Sequence, residues 1–390
     1  MNSSLPKRGF TKSEFESRTL KAQSLMTEKK IDAILLTTEP NVRYFSGFLT
    51  QFWQSPTRPW FLIIPRDENP MAVIPEIGLA GMESTWIKNI RTWTSPCPED
   101  DGISLLTKSL KDIKKKFGRI GVTLGRESHV RMPISNFKKL IENISPVEIV
   151  DFAIEMHWLK SIKSSAEIRK IQHICEITST AFESLPDLLK TGETERDCCL
   201  KLRYNILKLG ADNSPYMIAG SGLGGYDNII MGPTDKVLEI GDVLIIDTGS
   251  TFDGYFCDFD RNFAFGELSD KTKFAYDVVF KATDAGFKKA RPGNTTSDIW
   301  RAMWETLENG GALGNTVGRL GHGLGMELTE WPSITSEDNT LLESGMILTL
   351  EPGMTFSSGK QMVHEENIVI TDDEPIMLSK RAPEAIPIIK

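Results

Sequence analysis

"VLIIDTGSTFDGYFCDFDRNF", Val243–Phe263, is the stretch from which the rest of the chain can be read. Two apolar runs flank Asp253–Gly254, a dipeptide favoured in two-residue hairpin turns because both residues tolerate positive φ. A turn there fixes the register: Asp247 faces Asp260, and Gly249 faces Asp258. Period-two alternation then sets Asp247, Asp258 and Asp260 on one face of the ribbon. Three carboxylates sharing a face repel one another unless a cation holds them. A solvated acidic face is the competing reading. It fits poorly, because "VLIID" is apolar enough to be buried and the acids lie at its end.

Further acids follow. "MILTLEPGM", Met346–Met354, brings Glu351 to the end of an apolar strand. "MVHEENIVIT", Met362–Thr371, places Glu365 and Glu366 on opposite strand faces, so at most one of them points at the acids above. "GHGLG", Gly321–Gly325, offers His322 between glycines that let the backbone approach closely. Several carboxylates and one imidazole suit Mn²⁺, Fe²⁺, Co²⁺ or Zn²⁺. The acids suffice for two divalent metal ions about 3.5–4 Å apart, the spacing at which a water is activated between metals. His129, His157 and His173 have no acids at ligand spacing and read as structural. His364 and Cys257 precede Glu365 and Asp258 and so point away from them.

The composition sets bounds on this picture. A chain of 390 residues predicts two domains, and its 40% hydrophobic and 25% charged residues are those of an ordinary globular protein. A net charge of −8 argues against nucleic-acid binding. Five cysteines without a CxxC pair read as reduced thiols. "MNSSLPKRGF" has no apolar signal region and no run of 18 apolar residues occurs, so no membrane association and a cytoplasmic location are expected. Helical and strand patterns alternate through the first 150 or so residues, with "IDAILLTT", "WFLIIP", "MAVIPE" and "RIGVTLG" as strands and "NVRYFSGF" as a loop; this predicts an α/β layer. Further on, helices segregate from antiparallel-type strands, an α+β pattern. The expected domains are 1–155 and 156–390.

The combination of segments resembles the creatinase/aminopeptidase P/prolidase superfamily, M24, over nearly the whole chain. "IDAILLTTEPNVRYFSGF", "LKSIKSSAEIRKIQ", "GDVLIIDTGSTFDGYFCDFDRNF", "GHGLG", "LTLEPGM" and "EENIVIT" carry the resemblance. It implies a creatinase-type N-terminal domain and a pita-bread catalytic domain with an antiparallel sheet covered by helices. It also implies five metal ligands: Asp247 on one ion, Asp258 and Glu365 bridging, and His322 with Glu351 on the second. Asp260 stands where the family usually has threonine and, like His364, is a candidate for supporting the ligands from behind. The implied activity is hydrolysis of a C–N bond in an Xaa-Pro-like dipeptide or small amide by metal-activated water, in a homodimer, with Glu365 or Glu330 assisting proton transfer.

The chain also departs from the family pattern. Ile230 and Thr329 occupy positions where the family's peptidases carry histidines, and Val363 replaces an arginine common in proline-directed members. Isoleucine can neither move a proton nor donate a hydrogen bond. A lyase acting on a small zwitterionic osmolyte, as in the family's dimethylsulfoniopropionate lyases, and a creatinase- or ectoine hydrolase-like enzyme are therefore alternatives; a non-catalytic binding protein is a weaker one. Trp53, Arg58 and Trp60 lie in a loop that in this family reaches toward an active site, and aromatic faces with an arginine suit a zwitterion. Tyr226, Thr329 and Trp331 complete the expected substrate contacts.

Overall fold

The computed structural model describes residues 5–314 and 318–389. The chain divides into two compact units, Lys7–Lys160 and one holding Ser161–Lys390. The boundary lies five residues beyond the expected one, because helix Ala153–Ser161 is held by the first unit: Lys29 Nζ reaches Glu155 at 3.0 Å, and the Tyr44 hydroxyl donates to the Leu159 carbonyl at 3.3 Å.

The first unit is the expected α/β layer. Six strands, β1 (Ala33–Leu36), β2 (Phe61–Pro65), β3 (Met71–Pro75), β4 (Asn89–Trp93), β5 (Arg119–Val122) and β6 (Glu148–Asp151), form one mixed sheet in the order β4-β3-β2-β1-β5-β6. β1 is buried on both faces, which explains its unbroken apolar sequence. Ala33 and Leu35 pack with Ile103, Leu106 and Leu110 of a helix at Ile103–Asp112. One local expectation is corrected: "NVRYFSGF" is not a loop, and helix Glu39–Ser46 covers most of it. Pro40 sits in the first turn, where its missing N–H costs nothing, and Gly47 ends the helix at φ +75°.

The second unit carries the hairpin. β7 (Asn213–Leu223), β8 (Asp242–Phe252) and β9 (Tyr255–Phe265) are antiparallel, and a short C-terminal strand at Ile388–Ile389 adds to β9 in parallel, so this sheet is not wholly antiparallel. The register is the expected one, with Asp247 opposite Asp260 and Gly249 opposite Asp258. Asp253 and Gly254 take φ of +50° and +81° in the turn. Helix α1 (Ser165–Ser184) begins with a capping box, in which Ser164 and Glu167 satisfy each other's backbone. It is fastened to the hairpin by a Lys170–Asp253 ion pair of 2.5 Å and by the Tyr255 hydroxyl donating to Glu167 at 2.9 Å.

A second sheet stands beside this one, with β10 (His322–Gly323) between β11 (Glu330–Ser333) and β12 (Ile347–Leu350). A two-stranded ribbon, β13 (Gly353–Ser357) and β14 (Lys360–Val363), follows β12. β15 (Glu366–Val369) pairs with β12. The segment read as one strand, Met362–Thr371, is therefore broken at His364–Glu365: β14 pairs with β13 and β15 with β12. Among the described residues, no helix is long and apolar enough to cross a membrane.

Candidate metal centre

The glycines around His322 make room for strands. A Cβ on Gly321 would lie 2.3 Å from the Thr349 carbonyl, and one on Gly323 2.4 Å from that of Trp331, so β10 fits between its neighbours only if both lack side chains. His322 is thereby buried and oriented. Its Nδ1 lies 2.8 Å from the Gly323 carbonyl and so carries the proton, leaving the Nε2 lone pair facing Asp258 Oδ2 at 3.4 Å.

Asp258, His322 and Glu365 each offer a ligand atom within 4.8 Å of the other two, and all three are buried. Asp247 and Glu351 are half-buried and interact electrostatically with the same group. Three of the five expected ligands thus form one cluster, and the other two are near enough to act on it electrostatically. Asp258 is held by Asn367, whose Oδ1 accepts its backbone N–H at 2.9 Å and whose Nδ2 donates to its carbonyl. β9 is in this way locked to β15 across the two sheets.

The electrostatics are those of a site built for cations. Asp247 Oδ1, Asp258 Oδ1, Asp260 Oδ1 and Glu365 Oε1 are buried with no hydrogen-bond partner. Burial pushes Asp258 up to about 8 and Glu351 up to about 7, against the opposing pull of the Arg319 charge. Burial and the neighbouring carboxylates push Asp247, Asp260 and Glu365 far above the usual carboxylate range. Unpaired buried carboxylates cost several kcal/mol each, roughly, so an arrangement with four orphaned oxygens makes sense when divalent ions are their partners. A neutral imidazole nitrogen and hard oxygen donors fit such ions.

Several expected roles are corrected. Glu330 is not available for proton transfer. Its carboxylate pairs with Lys163 at 2.9 Å and accepts the Met326 N–H at 3.0 Å, closing the loop after His322. Tyr226 is fully buried, with its hydroxyl donating to Asn262 at 3.0 Å and accepting from the Val363 N–H at 2.7 Å, so it braces β14 instead of meeting substrate. Trp60 and Trp53 are buried in the first unit, their ring centroids 6.2 Å apart, and Arg58 donates to Ser95 there. These side chains are packing, as the start of an apolar strand would lead one to expect. His364 lies among Thr283, Arg381 and Tyr276, on the far side of the chain from Glu365, and does not support the ligands. Thr329 is exposed and Trp331 half-buried, both beside β10. Asp260 lies near the ligand carboxylates, since it and Asp247, Glu351 and Glu365 act on one another electrostatically, and its Oδ1 is buried without a hydrogen-bond partner.

Sequence reading missed three residues of the site. Tyr216 stands beside Asp247 and its hydroxyl pulls that carboxyl down, on the strand row that runs through Gly249 to Asp258. Arg319 reaches Thr329 Oγ1 at 3.0 Å, and its charge acts on Asp258 and Glu351. Asn367 was the most findable, as a polar residue inside the apolar run "NIVI".

With this geometry in place, comparison with known proteins identifies the family. The metallopeptidase family M24 model matches residues 169–373, and the creatinase/prolidase N-terminal domain model matches 18–162. The chain belongs to metallopeptidase family M24. An Xaa-Pro dipeptidase of Pyrococcus furiosus is 27% identical over 95% of this chain and 100% of its own. The uncharacterized peptidase YqhT of Bacillus subtilis is 29% identical over 90% of this chain and 95% of its own. The crystal structure of the prolidase from Pyrococcus horikoshii OT3 superposes with a TM-score of 0.82 at 25% identity, over 95% and 100% of the two chains. As an M24 member, the protein has the expected N-terminal creatinase-type domain and pita-bread catalytic domain, and metal-dependent hydrolysis is the chemistry that membership supports. The lyase, small-amide and non-catalytic readings are not favoured.

Proposed function

We propose that the protein hydrolyses dipeptides of the Xaa-Pro type with a pair of divalent metal ions held by Asp247, Asp258, His322, Glu351 and Glu365. One observation carries this reading: Asp258, His322 and Glu365 bring ligand atoms together, and Asp247, Asp258 and Glu365 each hold a buried oxygen without a hydrogen-bond partner. Four ligand carboxylates and a neutral imidazole balance two doubly charged ions. Relatives named as Xaa-Pro dipeptidases support the substrate class.

When bound, such ions lower the pKa of a water toward neutrality and polarise a carbonyl. The chain's own work is to hold and orient. Asp258 and Glu365 sit at the middle of the cluster, and Asn367 fixes the Asp258 backbone. With ions bound, Glu365 would stand beside the attacking water, to take its proton and return it to the leaving nitrogen. Tyr216 orients Asp247 and keeps its own proton, since burial and the surrounding carboxylates push its phenol up. The resemblance also implies a homodimer, which sedimentation analysis tests.

The decisive experiment pairs metal analysis with assay of Ala-Pro and Gly-Pro after Mn²⁺, Fe²⁺, Co²⁺ or Zn²⁺ loading. Release of proline with bound metal is expected. A protein that takes up no divalent ion, or that takes it up and cleaves neither dipeptide while releasing dimethyl sulfide from dimethylsulfoniopropionate, overturns the reading.

A further inference from the structure

Arg319 is half-buried three residues before His322. Its Nη2 donates to Thr329 Oγ1 at 3.0 Å and its Nη1 to Ser333 Oγ at 3.2 Å. Ser333 is the residue paired with His322 across β10 and β11, so the guanidinium lies beside the metal ligands. Its backbone neighbourhood is rigid: Leu320 donates to the Ile334 carbonyl and accepts from the Glu351 N–H, each at 2.9 Å. The charge also reaches the cluster, where it opposes the upward push of burial on Asp258 and Glu351.

The company this arginine keeps differs from that of the two arginines behind the ligands. Arg261 and Arg381 are each anchored on Glu366. Among the described residues, no carboxylate lies within ion-pair distance of Arg319; its partners are two neutral hydroxyls. A guanidinium has five N–H donors in a planar fork, and this one spends two of them. The geometry leaves a positive, pre-oriented fork at the rim of an otherwise acidic site. Such a fork matches a carboxylate bidentately.

We propose that Arg319, steadied by Thr329 and Ser333, binds the C-terminal carboxylate of the substrate and so makes the site a reader of short peptides with a free C-terminus. This rests on the dipeptide-hydrolase reading. With the ligand carboxylates balanced by two divalent ions, a cation at the rim gives a carboxylate one residue beyond the scissile bond a charge that attracts and aligns it. Val363, buried where many proline-directed relatives carry arginine, cannot supply that charge. Thr329, standing where a histidine is usual, gives the fork a neutral acceptor that does not compete for the ligand.

The test compares Ala-Pro with Ala-Pro-amide, identical but for the C-terminal charge, in metal-loaded wild type, Arg319→Ala, Arg319→Lys and Thr329→Val. Wild type is expected to prefer the acid by about 10- to 100-fold in kcat/KM, the range of a charge-assisted hydrogen-bonded pair. Arg319→Ala raises KM for the acid by a similar factor and leaves KM for the amide unmoved. Arg319→Lys falls between, because it keeps the charge and loses the fork. Thr329→Val shows a smaller loss of the same preference. Metal content and Tm of each variant are measured alongside, so misfolding is visible. Equal losses on acid and amide, or a fall in kcat with KM unchanged, would show that Arg319 only tunes the ligands and would overturn the proposal. If wild type binds the dipeptides but cleaves neither, the dipeptide reading fails on its own. Calorimetric binding of the acid against the amide then decides Arg319: a preference lost in Arg319→Ala supports it, and equal binding overturns it.

Discussion

Glu365 and Glu366 are adjacent, equally buried and chemically alike, yet they face opposite ways and live in opposite electrostatic worlds. Glu366 is saturated. It takes Arg261 at 3.0 Å, Arg381 at 3.3 Å, the Ala382 N–H at 2.8 Å and the Ser379 hydroxyl. Glu365 has an oxygen with no partner and four more acids, Asp247, Asp258, Asp260 and Glu351, for company. A buried charge with its partners in place holds a fold together. A buried charge without them stores unfavourable energy that a ligand can release.

The comparison breaks or sharpens under substitution. Glu365→Gln is expected to show the largest effect: kcat/KM falls by about a thousandfold or more, on the order of 4 kcal/mol, with loss of bound metal by elemental analysis. The metal-free protein should meanwhile be as stable as wild type or more so, because a repelling carboxylate is gone. A marked drop in metal-free Tm would place Glu365 with the structural acids and erase the contrast.

Glu366→Gln should do the reverse. Removing the charge that faces Arg261 and Arg381 costs about 3–5 kcal/mol by chemical denaturation, while metal stoichiometry is retained. Selective loss of metal without loss of stability would contradict the assignment.

The pH dependence tests two other acids of the open cluster more gently. Asp258 is raised to about 8 and Glu351 to about 7 in the metal-free fold. The folded state therefore binds more protons than the unfolded chain between about pH 4 and pH 8, and this contribution to stability falls as pH rises through that window. Metal binding removes the effect, so the gap in Tm between metal-loaded and metal-free protein should widen from pH 5 to pH 8. A constant gap would mean that these carboxylates are not ligands. The smallest change is expected for Ile230→His. At 78% exposure the position should shift stability by less than about 0.5 kcal/mol, and steady-state assay should find kcat/KM within about tenfold of wild type. A larger gain would show that the missing histidine limits catalysis.

The hairpin was legible because its information is local. An Asp-Gly turn and period-two alternation set Asp247, Asp258 and Asp260 on one face with no knowledge of the rest of the chain. The helix at Glu39–Ser46 was misread because proline and glycine were taken as loop markers, when they mark this helix's first turn and its end. The strand at Met362–Thr371 hid its break, since nothing in its residues says that it changes pairing partner at His364–Glu365. Glu330 was placed in the chemistry because its segment resembles one that takes part in it. Its Lys163 partner lies 167 residues away.

That separation states the general case. Composition, turn residues and strand periodicity in the sequence were enough for the two-domain plan and the acid face, because side-chain direction along a strand depends only on neighbours; the five-ligand set came from the family resemblance. Whether an acid on that face is spent or left open depends on partners brought from elsewhere: Lys163 for Glu330, Arg261 for Glu366 across 105 residues, and none for Glu365 Oε1. Folding decides those pairings, because a carboxylate's chemistry is set by which charges and donors the packed chain puts within about 4 Å of it.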